Sequence, residues 1–444
     1  MRSNTKINNE STKNYNTIII GAGIIGCCIA YELSKKGHRT LNLDFQPAAG
    51  AGSTANSCGN VRFYYSTRDG VAIAYESAWY WRNWPEYIGV RDPRGLAGYH
   101  NTGSVFIKNK LIDWSRVKSN FDSIGVNYEE WDLAKLQKRI PVADFHSFYP
   151  PKRPDDPRFF AEPDQWLEGA CYTPESGYVG DPQLAAQNVE CAARAKGAEF
   201  RYNQRVSGIR RDNRKVLGVT LDSGEQIDAA IVINVGGPHS FKITELAGLG
   251  ESNNIKTRAL RHEVHVVPPP DNYRPEEEGY HTNDADIGAY YRPEAGNKIL
   301  TGSVDPECDP QEWVDPDNFD RLISESQWKA QVYRLARRIP GLPIPNQPSG
   351  IVDLYDVSDD WIPIYDKSDL KGYYQAIGTS GNQFKTAPVV GGMMAELIDK
   401  VEKGYDHDAT PLKFKLPHLG LTIDMGAFHR NRQINRDSSF SVIG

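Results

Sequence analysis

The chain has 444 residues, more than one hydrophobic core commonly supports, so two domains, consecutive or interleaved, are expected. Hydrophobic residues make up 39% and charged residues 24%, the balance of a globular protein rather than a disordered or fibrous one. With 51 Lys and Arg against 57 Asp and Glu, the formal charge of −6 provides no global basic field for nucleic acid or anionic lipid, which leaves small molecules as the expected partners.

The segment from Met1 to about Tyr15 is polar, lacks the apolar core of a signal peptide, and is expected to be a disordered tail over 1–14. The most apolar stretch, Thr17 to Ala30, is interrupted by glycines and too short to span a bilayer. Six cysteines (Cys27, Cys28, Cys58, Cys171, Cys191, Cys308) are too few for a disulfide framework and include no CxxC pair for zinc. No metal is expected, and free thiols point to a reducing, cytoplasmic setting.

Thr17-Ile18-Ile19-Ile20 reads as a strand buried on both faces, followed at once by Gly21-Ala22-Gly23-Ile24-Ile25-Gly26. From Ile25 the apolar positions Cys28, Ile29 and Leu33 recur at helical spacing, and Gly37 stands where a left-handed C-cap would end the helix. A second strand, Thr40–Leu43, ends on Asp44. Strand, GxGxxG loop, helix, strand and acid in register form a dinucleotide cradle: glycines admit a pyrophosphate, the helix N-terminus offers N–H donors, and Asp44 accepts from ribose hydroxyls. An acidic residue there disfavours a 2′-phosphate, but the motif does not separate FAD from NAD.

The small-residue loop Gly50 to Arg62, with Ser53 and Thr54 near its start, resembles one in the FAD-dependent D-amino acid oxidase superfamily, in the branch of glycine oxidase, sarcosine oxidase and dimethylglycine dehydrogenase. The resemblance implies that Ser53 and Thr54 lie near the diphosphate and Arg62 near the isoalloxazine. It continues through Gly169-Ala170-Cys171, Gly177 to Pro182, a helix from Leu184 to Lys196, strands at Gly197–Phe200 and Val206–Ile209, and Ile231 to Pro238. By family precedent Val206 contacts adenine through its backbone and Gly236 belongs to a flavin-side turn.

Leu260 to Val267 and the hairpin Tyr290-Tyr291-Arg292-Pro293 with Ile299 to Gly302 resemble the family's substrate sheet, which makes Tyr290, Tyr291, Arg261, His262 and Arg292 pocket candidates wherever strand alternation turns them inward. Tyr373 to Pro388 resembles the strand-to-helix turn under the flavin, so Gly378, Ser380, Gly381, Asn382, Gln383, Phe384 and Lys385 are expected at the cofactor, with Lys385 holding a substrate carboxylate. Asp353 stands where sarcosine oxidases carry their flavin-linking cysteine and Asn56 where dimethylglycine dehydrogenases carry the linking histidine, so the FAD is expected to be non-covalent. Asn382-Gln383 replaces a common His-Gly, and Tyr65 replaces an arginine that holds carboxylate in sarcosine oxidases.

The fold expected is α/β with an α+β second domain: a Rossmann-type, glutathione-reductase-like FAD-binding domain from 15–100, 165–250 and 345–405, a mixed antiparallel-sheet substrate domain from 101–164 and 251–344, and a C-terminal extension over 406–444. The resemblance implies oxidation of an amine or amino acid by hydride transfer to flavin, an imine that hydrolyses, and oxygen or another acceptor for reoxidation. Arg62, Lys385 and His262 are the catalytic candidates; Tyr65, Tyr290, Arg292 and Lys385 are the substrate-binding ones. Alternatives are C–O oxidation of a 2-hydroxy acid with His262 as base, and a flavin-containing assembly factor or subunit without turnover. Homo-oligomer formation stays open, and no role is read for the tail from Leu416 to Gly444.

Overall fold

The computed structural model describes residues 15–110 and 112–444, so the tail expected over 1–14 lies outside the described residues. Thr17–Ile20 is the central strand of a six-stranded sheet, flanked by Thr40–Leu43 and Ile231–Asn234, then by Glu199–Arg201 on one side and Tyr373–Ile377 and Ile364–Lys367 on the other. All pairs are parallel except the last, in which Ile364–Lys367 runs antiparallel to Tyr373–Ile377. The run of β-branched residues is explained by burial on both faces. Ile19 and Ile233 join the core beneath the helices, while Ile18, Ile20, Leu41 and Val232 meet Ile209, Val216 and Val219 of a three-stranded meander, Val206 to Asp228.

The helix Ile24–Lys35 leaves the first strand after the glycine loop and packs between the helices Pro182–Ala195 and Ala387–Glu402. It stops as the sequence implies: Gly37 takes φ +88°, and the Gly37 and His38 amides close on Ser34 O and Leu33 O. The Gly23 N-cap carries no side-chain hydrogen bond, so the N-terminal donors face the groove beside the strand ends.

A nine-stranded mixed sheet forms the second layer. Its order runs Gly350–Ser358, Thr257–Val267, Lys298–Ser303, Ala289–Glu294, His281–Asp284, Ser104–Ile107, Ala170–Thr173 and Glu129–Trp131, with the short strand Glu312–Trp313 also paired to Thr257–Val267. The helix Glu325–Arg338 covers its outer face, where Arg338, fully buried, pairs with Asp284 at 2.6 Å and Asp286 at 3.0 Å. Two segments assigned to the FAD unit from the sequence are corrected here. Gly350–Ser358 pairs along nearly its whole length with Thr257–Val267, and Ala170–Thr173 pairs with Ser104–Ile107, so both strands belong to the large sheet. The chain therefore crosses between the layers within these segments.

Candidate active site

Between the two sheets lies one elongated cavity of about 920 Å³, lined from Asp44 and Val206 at one end to Arg62, Tyr290 and Lys385 at the other. Gly21, Gly23, Ile24, Ile25 and Gly26 line its middle. Gly21 is obligatory: its φ is +123°, and a Cβ there would stand 2.5 Å from Val235 O. Thr54 Oγ1 accepts from the Ile24 amide at 3.1 Å, which ties the second loop to the helix N-terminus, and Ser53 lines the cavity beside it. Asp44 accepts from the Ala22 amide at 2.6 Å, and burial raises its carboxyl above the usual range. A glycine cradle, a helix N-terminus facing the cavity, an acid at the end of the second strand and a cavity of about 920 Å³ fit FAD.

The opposite end is roofed by the large sheet, and strand alternation decides which side chains enter. His262 and Val264, His281 and Asn283, Tyr290, and Asp353 and Tyr355 line the cavity. Arg261 and Tyr291 point instead to the helix-covered face: Arg261 donates to Glu263 at 2.7 Å, and Tyr291 packs with Trp328 and Leu335. Arg261 and Tyr291 are thereby removed from the pocket candidates. Arg292 does not line the cavity either, because its guanidinium donates to Cys58 O and Pro293 O and pairs with Glu294. It braces the loop that carries Cys58.

The turn Ile377 to Ala387 makes the floor. Gly381, Asn382, Gln383, Phe384 and Lys385 line the cavity, whereas Gly378 and Ser380 hold the turn from behind. Gly378 donates to Asp356 at 2.6 Å, and Ser380 takes a left-handed φ of +48° with its hydroxyl bonded to Gly378 O. Gly381 has φ +68°, and a Cβ there would lie 2.5 Å from the Tyr355 ring. Asp356, missed in the sequence, is completely buried, which lifts its carboxyl to about 7 against the hydrogen bonds from Ser240 and Gly378.

Two cations occupy this end. Lys385 is 3% exposed and donates to Tyr65 Oη at 2.7 Å and Asn382 O at 2.5 Å; Tyr65 stands behind it, outside the cavity lining, and donates to Asn382 O at 2.6 Å. Arg62 is 5% exposed and donates to Tyr64 O at 2.5 Å and Val442 O at 2.6 Å. Neither has a carboxylate partner among the described residues. Burial, reinforced by Arg62, holds the Lys385 ammonium well below the usual lysine range, and burial with Arg62, Arg292 and Lys385 nearby keeps His281 neutral. His262 is the reverse case: burial alone would depress it, but Asp305, 2.7 Å from Nε2, overrides this and raises it. Its partner Asp305 was also missed, as were Tyr355, His281, Asn283 and Val442. Asp353 accepts from Asn56 at 2.5 Å and from Ser53 at 3.3 Å, which ties its strand in the roof to the second loop.

A family model described as FAD dependent oxidoreductase matches residues 16–397, and the chain belongs to that family. It is an FAD-dependent oxidoreductase. It is 23% identical over 401 residues to glycine oxidase of Geobacillus kaustophilus (strain HTA426), covering 89% of this chain and 96% of that one. It is likewise 23% identical to FAD-dependent oxidoreductase domain-containing protein 1 of Bos taurus, covering 86% of this chain and 80% of the other. Among solved structures, L-proline dehydrogenase from P. horikoshii superposes with a TM-score of 0.71 at 22% identity, over 87% of this chain and 94% of that one. No helix among the described residues is long and apolar enough to cross a membrane, and none of their His, Cys, Asp and Glu side chains cluster to hold a metal.

Proposed function

We propose that this chain oxidises the C–N bond of a small amino acid or N-methylated amine, with FAD held non-covalently. The observation that carries the reading is the pair of buried basic side chains, Arg62 and Lys385, at the roofed end of the cavity with neutral acceptors only. Burial disfavours the charged form of Lys385, and an arriving anion restores it beside the buried Arg62 guanidinium, so a site that holds both basic groups without a carboxylate partner is built to receive an anion. A substrate carboxylate is the small anion that fits. When bound, FAD supplies the hydride acceptor.

Lys385 and Arg62 hold the carboxylate, and its arrival favours the charged form of Lys385 that burial otherwise disfavours. Tyr290 and Tyr355 wall the space in which the amine-bearing carbon sits. The sheet above keeps water from the reacting carbon, which preserves the imine until release. The similarity to proteins named glycine oxidase and L-proline dehydrogenase supports an amino-acid substrate. Non-covalent attachment is supported by Asp353 and Asn56, which hydrogen-bond each other and carry neither thiol nor imidazole, and by Cys58, whose thiol burial pushes upward. Acid precipitation of the yellow protein is expected to leave all the flavin in the supernatant.

One feature favours a second reading. His262, paired with Asp305 and lining the cavity, has the arrangement of a general base for an alcohol, as C–O oxidation of a 2-hydroxy acid requires. The experiment that decides is turnover of the holoprotein with primary amino acids, N-methyl amino acids and 2-hydroxy acids and an artificial acceptor dye, with assay of released ammonia or formaldehyde. Amine-dependent dye reduction with stoichiometric ammonia or formaldehyde supports C–N oxidation. Reduction by hydroxy acids alone replaces it with the second reading.

A further inference from the structure

The segment after Arg430 returns to the site from outside both sheets. Arg430, 1% exposed, fixes the start of this return through Asp366 at 3.0 Å, Asp369 at 2.6 Å and Asp408 at 2.9 Å. Arg432 then grips Asp360 with two parallel hydrogen bonds, at 2.9 and 2.7 Å. Beside Asp360, Trp361 takes a left-handed φ of +60°, unusual for a bulky residue, and is buried in the cluster that also contains Leu260, Val264, Tyr290 and Val442. The segment thus ends against the roof of the cavity. Val442 lines it, Val442 O accepts from Arg62, and Gly444 O accepts from the Ser66 amide at 2.9 Å.

We propose that Val442 is a specificity-determining and positioning residue: its side chain walls the substrate end of the cavity and sets the size of the group beside the carboxylate, while its carbonyl orients Arg62. This rests on the reading of Arg62 and Lys385 as a carboxylate site. A carbonyl is the acceptor such a role requires. It fixes the guanidinium without cancelling its charge, whereas an Asp or Glu in the same place would neutralise the cation and close the site to anions. The side chain acts by volume. An apolar wall discriminates between ligands by whether the extra group fits, and in a hydrophobic pocket one methylene changes binding by about tenfold or more.

The test uses the oxidised holoprotein and two probes, acetate and phenylacetate, titrated while the flavin absorption band is followed. Wild-type protein is expected to bind acetate in preference to phenylacetate. Val442→Ala, which keeps the backbone carbonyl, is expected to shift that preference by about tenfold or more toward phenylacetate. Val442→Phe, which narrows the space instead, is expected to move it the other way, so a folding failure of one variant leaves the other to decide. The ratio of the two affinities is the readout, because a merely structural role would weaken both acids alike. An unchanged ratio in the soluble variants overturns the assignment of Val442 while leaving the carboxylate site standing. No spectral response to either acid in wild type overturns the carboxylate site, and the role of Val442 with it.

Discussion

Replacing Lys385 with Met separates the anion-binding role of this side chain from a structural one. The ammonium makes two hydrogen bonds, to Tyr65 Oη and Asn382 O, and it is 3% exposed. Met has nearly the same length and removes both the charge and the donors. No polar atom is orphaned, because the Tyr65 hydroxyl still donates to Asn382 O. Loss of two hydrogen bonds is offset by replacing a desolvated amine with an apolar thioether of similar length, so the melting temperature should stay close to that of wild type. Ligand binding should not stay close. A hydrogen bond to a charged group is worth about 1.5–3 kcal/mol, so acetate affinity should fall about ten- to hundredfold. The assay is acetate titration of the oxidised flavin band, with the flavin-to-protein absorbance ratio and the melting temperature measured on the same sample. Acetate affinity within about twofold of wild type, at equal flavin content, would refute the role given to Lys385.

Gly21→Ala places a Cβ against Val235 O at a φ closed to alanine, so the purified variant should lose its FAD, read from the ratio of visible to ultraviolet absorbance. Asp356→Asn reports on a buried carboxyl raised to about 7, well above its unfolded value of about 4. The folded state holds that proton while the unfolded chain releases it, so wild-type stability is full at low pH and is lost as pH rises toward 7. The melting temperature of wild type relative to Asp356→Asn should therefore fall between pH 5 and pH 8, and a rise would contradict the sign. Arg338→Met strips the counter-ion from Asp284 and Asp286 in the interior of the large sheet; removing one partner of such a pair costs about 3–5 kcal/mol, so the denaturant midpoint should drop clearly.

The glycine-loop half of the cavity was legible in the sequence because its determinants are local. Gly21, Gly23, Gly26 and Asp44 act through backbone conformation and through strands and a helix that adjoin in the chain. The roofed half was legible only by parity. The hairpin resemblance placed Tyr290, Tyr291 and Arg292 in one group, and the register then turned Tyr290 inward, Tyr291 under the outer helix and Arg292 onto the Cys58 loop. Long-range partners were invisible. Nothing near Asp360 announces Arg432, or near Arg62 announces Val442, since those contacts are made by segments 72 and 380 residues away. The assignment of Gly350–Ser358 to the FAD unit failed for the same reason: its ladder is with Thr257–Val267, a pairing set by topology rather than by local pattern.

The central claim is tested most directly by mixing the oxidised holoprotein, without oxygen, with each member of a panel of primary and N-methyl amino acids and of 2-hydroxy acids, and following the flavin band. Oxidation of a C–N bond predicts bleaching by at least one amine and none by the matching hydroxy acids. Bleaching by hydroxy acids alone, or a band that no amine discharges, would contradict it.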